Sequence, residues 1–286
     1  MCAIISSMEK RTAASIRARA RAEMIDEIKE SARRQLATEG ANLSLRAIAR
    51  ELGVVSSALY RYFASRDELL TALIIDAYNA IGEAGERADA AITERLDLTR
   101  RWLAVADAWR EWALAHPAEY ALIHGSPVPG YAAPADTIAP ASRRFLVIAA
   151  IVRDGRQSGV LAPAPTPSIP APAPASPEQG STLASAASSA EVSPTTPSAV
   201  APATPVRAPT ERPLIPAPLR AELDAVAAAL GVETETGLTA RVLIAVTELF
   251  GGLNFELFGQ LNNTIDERRA WFDLQARMMA DLIGLP

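Results

Sequence analysis

An all-α fold is what this sequence predicts, with a small three-helix unit at the N-terminus joined to a larger helical bundle. Three observations carry that expectation. Ala, Leu, Arg and Glu dominate long stretches whose apolar residues recur every three or four positions, the period of a buried helix face. No run of alternating β-branched residues reaches strand length. Gly40, Gly53 and Pro117 punctuate the pattern at its breaks, where a left-handed turn or a fixed φ is useful.

The periodicity places helices at about residues 14–39, 45–52, 56–63, 66–90, 94–115, 117–124, 138–158, 217–230, 236–260 and 264–283. Residues 1–13 are expected to form a disordered N-terminus, and GSPVPGYAAPADTIAP, from Gly125 to Pro140, reads as a loop. Residues 162–218 hold 15 of the 21 prolines, mixed with Ala, Ser and Thr and without an aromatic residue. Such a segment buries too little apolar surface to offset its ordering entropy, so it reads as a disordered Pro/Ala/Ser-rich insertion. It is expected to interrupt one helical domain spanning 69–286, set after a smaller domain at 14–68.

A chain of 286 residues with 49% apolar composition is long enough for two domains and a sizeable core. No stretch approaches the roughly 18 unbroken apolar residues of a membrane span, and the opening MCAIISS is too short for the core of a secretory signal. A cytoplasmic protein without a membrane partner is therefore expected. The lone Cys2 cannot close an internal bridge, and His116 and His124 are the only histidines, so neither a metal site nor a cofactor is expected.

Net charge is −5, but it is unevenly spread. Residues 1–66 carry 12 Lys/Arg against 7 Asp/Glu, a balance of +5 that leaves −10 for the rest. A basic end on an acidic body fits a polyanion partner for the first part alone, and fits equally a solvated, arginine-rich helix face. Lys10, Arg11, Arg17, Arg19 and Arg21 form a basic arm ahead of this unit, suited to phosphates or to plain solvation.

The informative stretch is NLSLRAIARELGVVSSALYRYFASRDELL, from Asn42 to Leu70. Ser44 can cap a helix whose Leu45, Ile48, Ala49 and Leu52 share a face, and Gly53 permits the left-handed turn that ends it. In the helix that follows at once, Ala58, Leu59 and Phe63 close onto the same core, leaving Ser56, Ser57, Tyr60 and Arg61 outward. Two short helices across a tight turn, braced by a longer one, lay one helix in a DNA major groove. Small Ser56, Ser57 and Ala58 allow close approach to base edges, while Tyr60, Tyr62 and Arg66 can hold phosphates; Ser44 and the outward Arg61 count with them as DNA-binding candidates. Arg46 can reach a guanine edge or a phosphate.

This segment resembles the N-terminal domain of TetR-type repressors over roughly residues 20–75. The resemblance rests on the order Ser44, Ile48, Ala49, Gly53, Val54, Leu59, Tyr60, Tyr62, Phe63, Ser65, Arg66 and Leu69. It implies a homodimer reading a palindromic operator in double-stranded DNA. Val55 departs from the pattern, standing where a capping Ser or Thr is usual. If Ser56 takes over as cap, the helix starts a residue late and Ser56 is spent on the backbone.

Farther on, Trp109, Trp112, His116, Tyr120 and His124 recur at helical spacings, a stripe that suits a mostly apolar effector pocket or plain core. WREWALAHPAEYALIHG resembles the WHG segment of TetR-type C-terminal domains, with Trp112, His116 and Gly125 as its name-giving positions. That resemblance, resuming in TELFGGLNFELFGQL, implies a helical ligand-binding and dimerisation domain. The last two helices carry Val242, Val246, Leu249, Phe250, Leu253, Leu257 and Leu261, then Trp271, Leu274, Met278, Met279, Leu282 and Ile283. These wide apolar surfaces, with Gly251, Gly252 and Gly259 among them, suit a two-fold four-helix interface or an internal core. The histidines lack a Ser, Cys or carboxylate partner at catalytic spacing, and no phosphate-binding glycine loop occurs, so an enzyme is not expected. The expected function is that of a ligand-responsive repressor; an activator, or an architectural DNA-binding protein without an effector, is the alternative.

Overall fold

The computed structural model describes residues 2–40, 42–161, 168–169, 212–213, 215–232 and 235–286, the first fourteen of these and the two short segments by backbone alone. Most of the expected insertion at 162–218 lies outside the described residues. Ten α-helices lie within the described chain: α1 (Cys2–Glu39), α2 (Leu45–Glu51), α3 (Ser56–Leu59), α4 (Arg66–Ala90), α5 (Leu98–Ala115), α6 (Pro117–His124), α7 (Ile138–Gln157), α8 (Ala217–Ala229), α9 (Thr236–Leu257) and α10 (Arg268–Ile283). Two-residue strands β1 (Ser168–Ile169) and β2 (Arg212–Pro213) pair antiparallel and are the only strands among the described residues.

Most differences from the sequence reading lie at helix starts and have local causes. Helix α1 runs through residues 2–13, read above as disordered; Ala, Glu and Arg favour a helix there and no Gly or Pro precedes Gly40. Helix α5 begins at Leu98 because the Asp97 carboxylate accepts the Arg100 backbone N–H at 3.0 Å, fixing the N-cap. Helix α10 starts at Arg268 because Thr264 and Ile265 both donate to the Leu261 carbonyl in the preceding turn. Helix α4 starts where expected. Ser65 accepts from Glu68 N at 3.1 Å, and the Glu68 carboxylate reaches back to Ala64 N at 2.5 Å, a reciprocal cap.

Apolar side chains gather into two cores. The first joins α1 to α4 through Ile28, Ala32, Leu36, Ile48, Ala49, Leu59, Phe63, Leu69, Leu70 and Leu73. The second joins α4, α5, α7, α9 and α10 through Ile81, Trp102, Val105, Trp109, Ile148, Ile151, Val246, Leu249, Leu253 and Phe272. Leu161, Val232 and Leu238 also belong to it, so the helices on either side of the Pro-rich segment share one core.

Polar staples fix the second core. Arg101, fully buried, pairs with Asp89 at 2.6 Å and Asp154 at 2.8 Å, tying α5 to α4 and α7. Burial pushes the Asp89 carboxyl up, but hydrogen bonds from Arg101 and Arg95 outweigh it and hold the group below its usual range. Arg110 grips Glu256 with two bonds across α5 and α9. Trp102 Nε1 donates to the Ala276 carbonyl of α10 at 2.8 Å. Helix α9 is long and apolar enough to cross a membrane by length and composition, yet Leu238, Ala245, Val246, Leu249 and Leu253 line this core.

Two elements belong to both cores. Helix α4 places Leu69, Leu70 and Leu73 in the first and Ile81 in the second. The short α6 packs Ala118 and Leu122 on the first and Tyr120 and Ile123 on the second. Its Tyr120 hydroxyl donates to the Phe250 carbonyl of α9 at 3.1 Å.

Candidate nucleic-acid interface and interior cluster

Helix α2 is capped as its sequence directs, with Ser44 Oγ accepting Ala47 N at 3.3 Å. Gly53 then adopts φ +68°, a conformation that a side chain would strain, and Val54 N closes onto the Ala49 carbonyl at 2.9 Å. Ile48, Leu59 and Phe63 turn inward and are buried. Arg46, Ser57, Tyr60 and Arg61 are left exposed on the outer side, Tyr60 by 47%. Ser44, Ser56, Ala58, Tyr62 and Arg66 are half-buried beside them.

Two details differ from the sequence reading. The regular part of α3 ends at Leu59, and Arg61, Tyr62 and Phe63 continue it only as tight turns onto Ala58 and Leu59 carbonyls. Ser56 is not the cap: Val55 holds that position with extended backbone and no side-chain bond, so the Ser56 hydroxyl is not spent there. Val55 is instead 71% exposed at the leading end of the helix, an apolar contact point that the sequence marked only as an irregularity.

The basic arm meets this surface through Arg21. Its guanidinium lies 5.1 Å from the Tyr62 ring centroid, and Nη1 donates to the Arg61 carbonyl at 3.4 Å. Arg66, in the first turn of α4, lies 3.4 Å from Asp67.

The aromatic stripe separates into two places. Trp109 and Tyr120 lie in the interior with the half-buried His124 against them, whereas Trp112 and His116 stack on each other at the seam between the cores, with ring centroids 5.2 Å apart and His116 exposed. The cause is local. His116 is the last turn of α5, its ring Nδ1 lies 3.0 Å from the Trp112 carbonyl, and its backbone at φ −131°, ψ 56° resets the helical register before Pro117 opens α6. Trp112 and His116 thereby face a hollow of about 560 Å³ shared with Glu30, Arg33 and Asp76.

Phe250 of α9 is the hub of the interior cluster. Trp109 stacks on it at 5.2 Å, His124 at 4.4 Å, and the Arg144 guanidinium lies 5.1 Å from its centroid. Arg144 also lies 5.0 Å from each of the Tyr78 and Phe145 rings. One Arg144 nitrogen is 2.9 Å from His124 Nε2; since arginine only donates, Nε2 is the acceptor and the proton sits on Nδ1. Burial, reinforced by the Arg144 cation, holds the His124 pKa at about 3, so the ring is neutral. Sequence reasoning missed Arg144 and Tyr78 and placed Phe250 only on the apolar face of its helix; tertiary packing brings all three together. Tyr78 and Phe145 also border an open hollow of about 480 Å³ between α4, α6 and α7, with Ile123, Val128, Tyr131 and Ile138. Among the described residues, no group of His, Cys, Asp and Glu is placed to hold a metal ion.

A short helix pair across a glycine turn with an exposed outer face, braced by α1 and carried on a separate helical body, defines a helix-turn-helix regulator. Comparison with known proteins agrees. Residues 28–73 match the family described as bacterial regulatory proteins, tetR family, and residues 102–279 match the tetracyclin repressor-like C-terminal domain. The chain belongs to the TetR family of transcriptional regulators. It is 46% identical over 155 residues to the HTH-type transcriptional regulators Rv1816 of Mycobacterium tuberculosis strain H37Rv and Mb1846 of Mycobacterium bovis. Those alignments cover 51% of this chain and 65% of each relative. Among solved structures, the protein SCO4313 is similar at 28% identity and TM-score 0.63, covering 92% of this chain and 98% of that one. A protein of unknown function from Rhodococcus sp. RHA1 shares the fold at 18% identity and TM-score 0.55, covering 91% and 92% of the two chains.

Proposed function

We propose that this regulator is a cytoplasmic, ligand-responsive repressor that binds a palindromic operator as a homodimer. The observation that carries the reading is the outer face of α2 and α3, where Arg46, Ser57, Tyr60 and Arg61 stand exposed while Ile48, Leu59 and Phe63 anchor the same helices. Ser56, Ser57 and Ala58 approach base edges, with Val55 beside them. Tyr60, Arg61, Tyr62 and Arg66 hold phosphates, and Arg46 reaches a base edge or a phosphate from α2, which Ser44 caps. Residues 14–68 form the reading head and residues 69–286 the regulatory body.

A palindromic site requires two heads about 34 Å apart, hence two copies of the chain. Helices α9 and α10 offer the surface: Ile244 and Phe255 on one, Phe258 just beyond its end, and Leu274 and Met278 on the other are exposed apolar residues. This surface is narrower than the sequence expectation. Val246, Leu249, Phe250, Leu253, Leu261 and Ile283 are spent on the internal core, and a Cβ on Gly252 would lie 2.5 Å from Gln275 of the same chain. Gly251 is open and lies on the remaining face.

Helices α4 and α6 supply the coupling, because each is packed into both cores. A ligand in the body that binds the two head arrangements with unequal affinity shifts their balance, and with it the spacing of the heads. Footprinting on the DNA upstream of the protein's own coding region tests the reading. A discrete two-fold symmetric protection is expected. Uniform coverage would make the protein architectural, and a complete lack of protection would overturn the reading.

A further inference from the structure

The inward-turned arginines of α5 and α7 differ in their partners. Arg101 pairs with Asp89 and Asp154, Arg110 with Glu256, and Arg143 with Glu86 through two bonds. Arg144 follows Arg143 directly on α7 and is likewise drawn inward, yet none of the groups that act on it is a carboxylate. Its surroundings are aromatic: Phe145, Phe250, the neutral His124 and Tyr78, whose side chain also hydrogen-bonds it. Arg144 is half-buried, and drawing a cation away from water without an anion beside it is costly.

The unfilled polar atoms around it have a common sign. Arg144 Nε and His124 Nδ1 are buried and without a hydrogen-bond partner. Both are N–H donors, and both side chains pack on the Phe250 ring. The unfilled acceptor on the same helix is Asn254 Oδ1, one turn beyond Phe250. A surplus of donors with a net positive charge asks for an anion. Tyr78 and Phe145, each 5.0 Å from the guanidinium, form part of the wall of the 480 Å³ hollow, whose other lining includes Ile74, Leu122 and Ile138. The charge therefore lies one ring's width behind an open, largely apolar recess.

We infer that the effector of this regulator is an organic carboxylate with an apolar body, its carboxylate paired to Arg144 and its body seated against Tyr78 and Phe145 in the hollow between α4, α6 and α7. The inference rests on the ligand-responsive reading above and gives it a chemical class. Helix α6 makes the coupling direct: His124 and Ile123 belong to the site, while Ala118 and Leu122 on the same two turns pack on the reading head.

The test uses the full chain and matched probes: butyrate, octanoate, dodecanoate, benzoate and phenylacetate, each beside its uncharged primary amide. Binding is read by tryptophan fluorescence, with Trp109 as reporter, and by thermal shift. At least one acid is expected to bind about tenfold or more tighter than its amide, the scale of a charge-assisted bond. Arg144→Met is expected to abolish that preference while leaving amide binding in place, and Arg144→Lys, which keeps the charge and guards against a misfolded variant, to retain part of it. A panel in which no acid exceeds its amide, or in which Arg144→Met keeps the preference, overturns the inference. Operator affinity measured with the bound acid separates the two claims: acid-selective binding that leaves operator affinity unchanged upholds the site and refutes the effector reading.

Discussion

Acid should destabilise this protein through His124. Burial beneath Tyr120 and Phe250, with the Arg144 cation alongside, holds the folded imidazole at about 3, against about 6.5 in an unfolded chain. Between those values the unfolded state takes up a proton that the folded state refuses. His124 therefore contributes no loss above pH 6.5, and stability drains away as the pH falls towards 3. The slope approaches about 1.4 kcal/mol per pH unit, which integrates to about 2 kcal/mol between pH 6.5 and 4.5. Urea unfolding of the parent and of His124→Gln, measured at several pH values, isolates this contribution, because the carboxylates titrate alike in both proteins. The stability difference between parent and variant should move by about 2 kcal/mol over that window, against the parent at low pH. A difference that stays constant from pH 6.5 to 4.5 would refute the claim that the imidazole is buried and neutral.

Other consequences follow from the packing. Asp89→Ala deprives the fully buried Arg101 of its nearest carboxylate and should cost about 3 kcal/mol in chemical denaturation; a loss under about 1 kcal/mol would show that Asp154 alone suffices. Gly85→Ala improves helix propensity, yet its Cβ would stand 2.6 Å from Trp109 Nε1 and 3.3 Å from Val105, so a net loss of about 1–3 kcal/mol with altered tryptophan emission is expected, and a gain in stability would contradict the close approach of α4 and α5. Phe255→Asp combined with Met278→Asp should convert a dimer to a monomer in sedimentation while helicity is retained; an unchanged dimer would place the interface elsewhere.

The reading head was legible in the sequence because its determinants are local. Ser44, Gly53 and Ser65 each act within four residues, and the inward set Ile48, Leu59 and Phe63 follows from helical spacing. The body was legible as helices but not as a site. Spacing put Trp112 and His116 on one stripe with Tyr120, and the break at His116 turned them to the other side of α6. Nothing in the run Arg143–Arg144 distinguishes the arginine that finds Glu86 from the one that finds aromatic side chains, since their partners come from α4, α6 and α9. The apolar faces of α9 and α10 likewise carried no mark of which residues serve the chain's own core and which remain outside.

The proposed DNA contact falls on the outer face of α2 and α3, and a fluorescence anisotropy titration on the footprinted operator probes it most directly. Arg61→Ala and Tyr60→Phe, two changes outside the buried core, should together weaken binding by about tenfold or more, flatten the salt dependence by about one unit, and leave the circular dichroism spectrum as it was. Full operator affinity in that folded variant would contradict the assignment of this face to DNA.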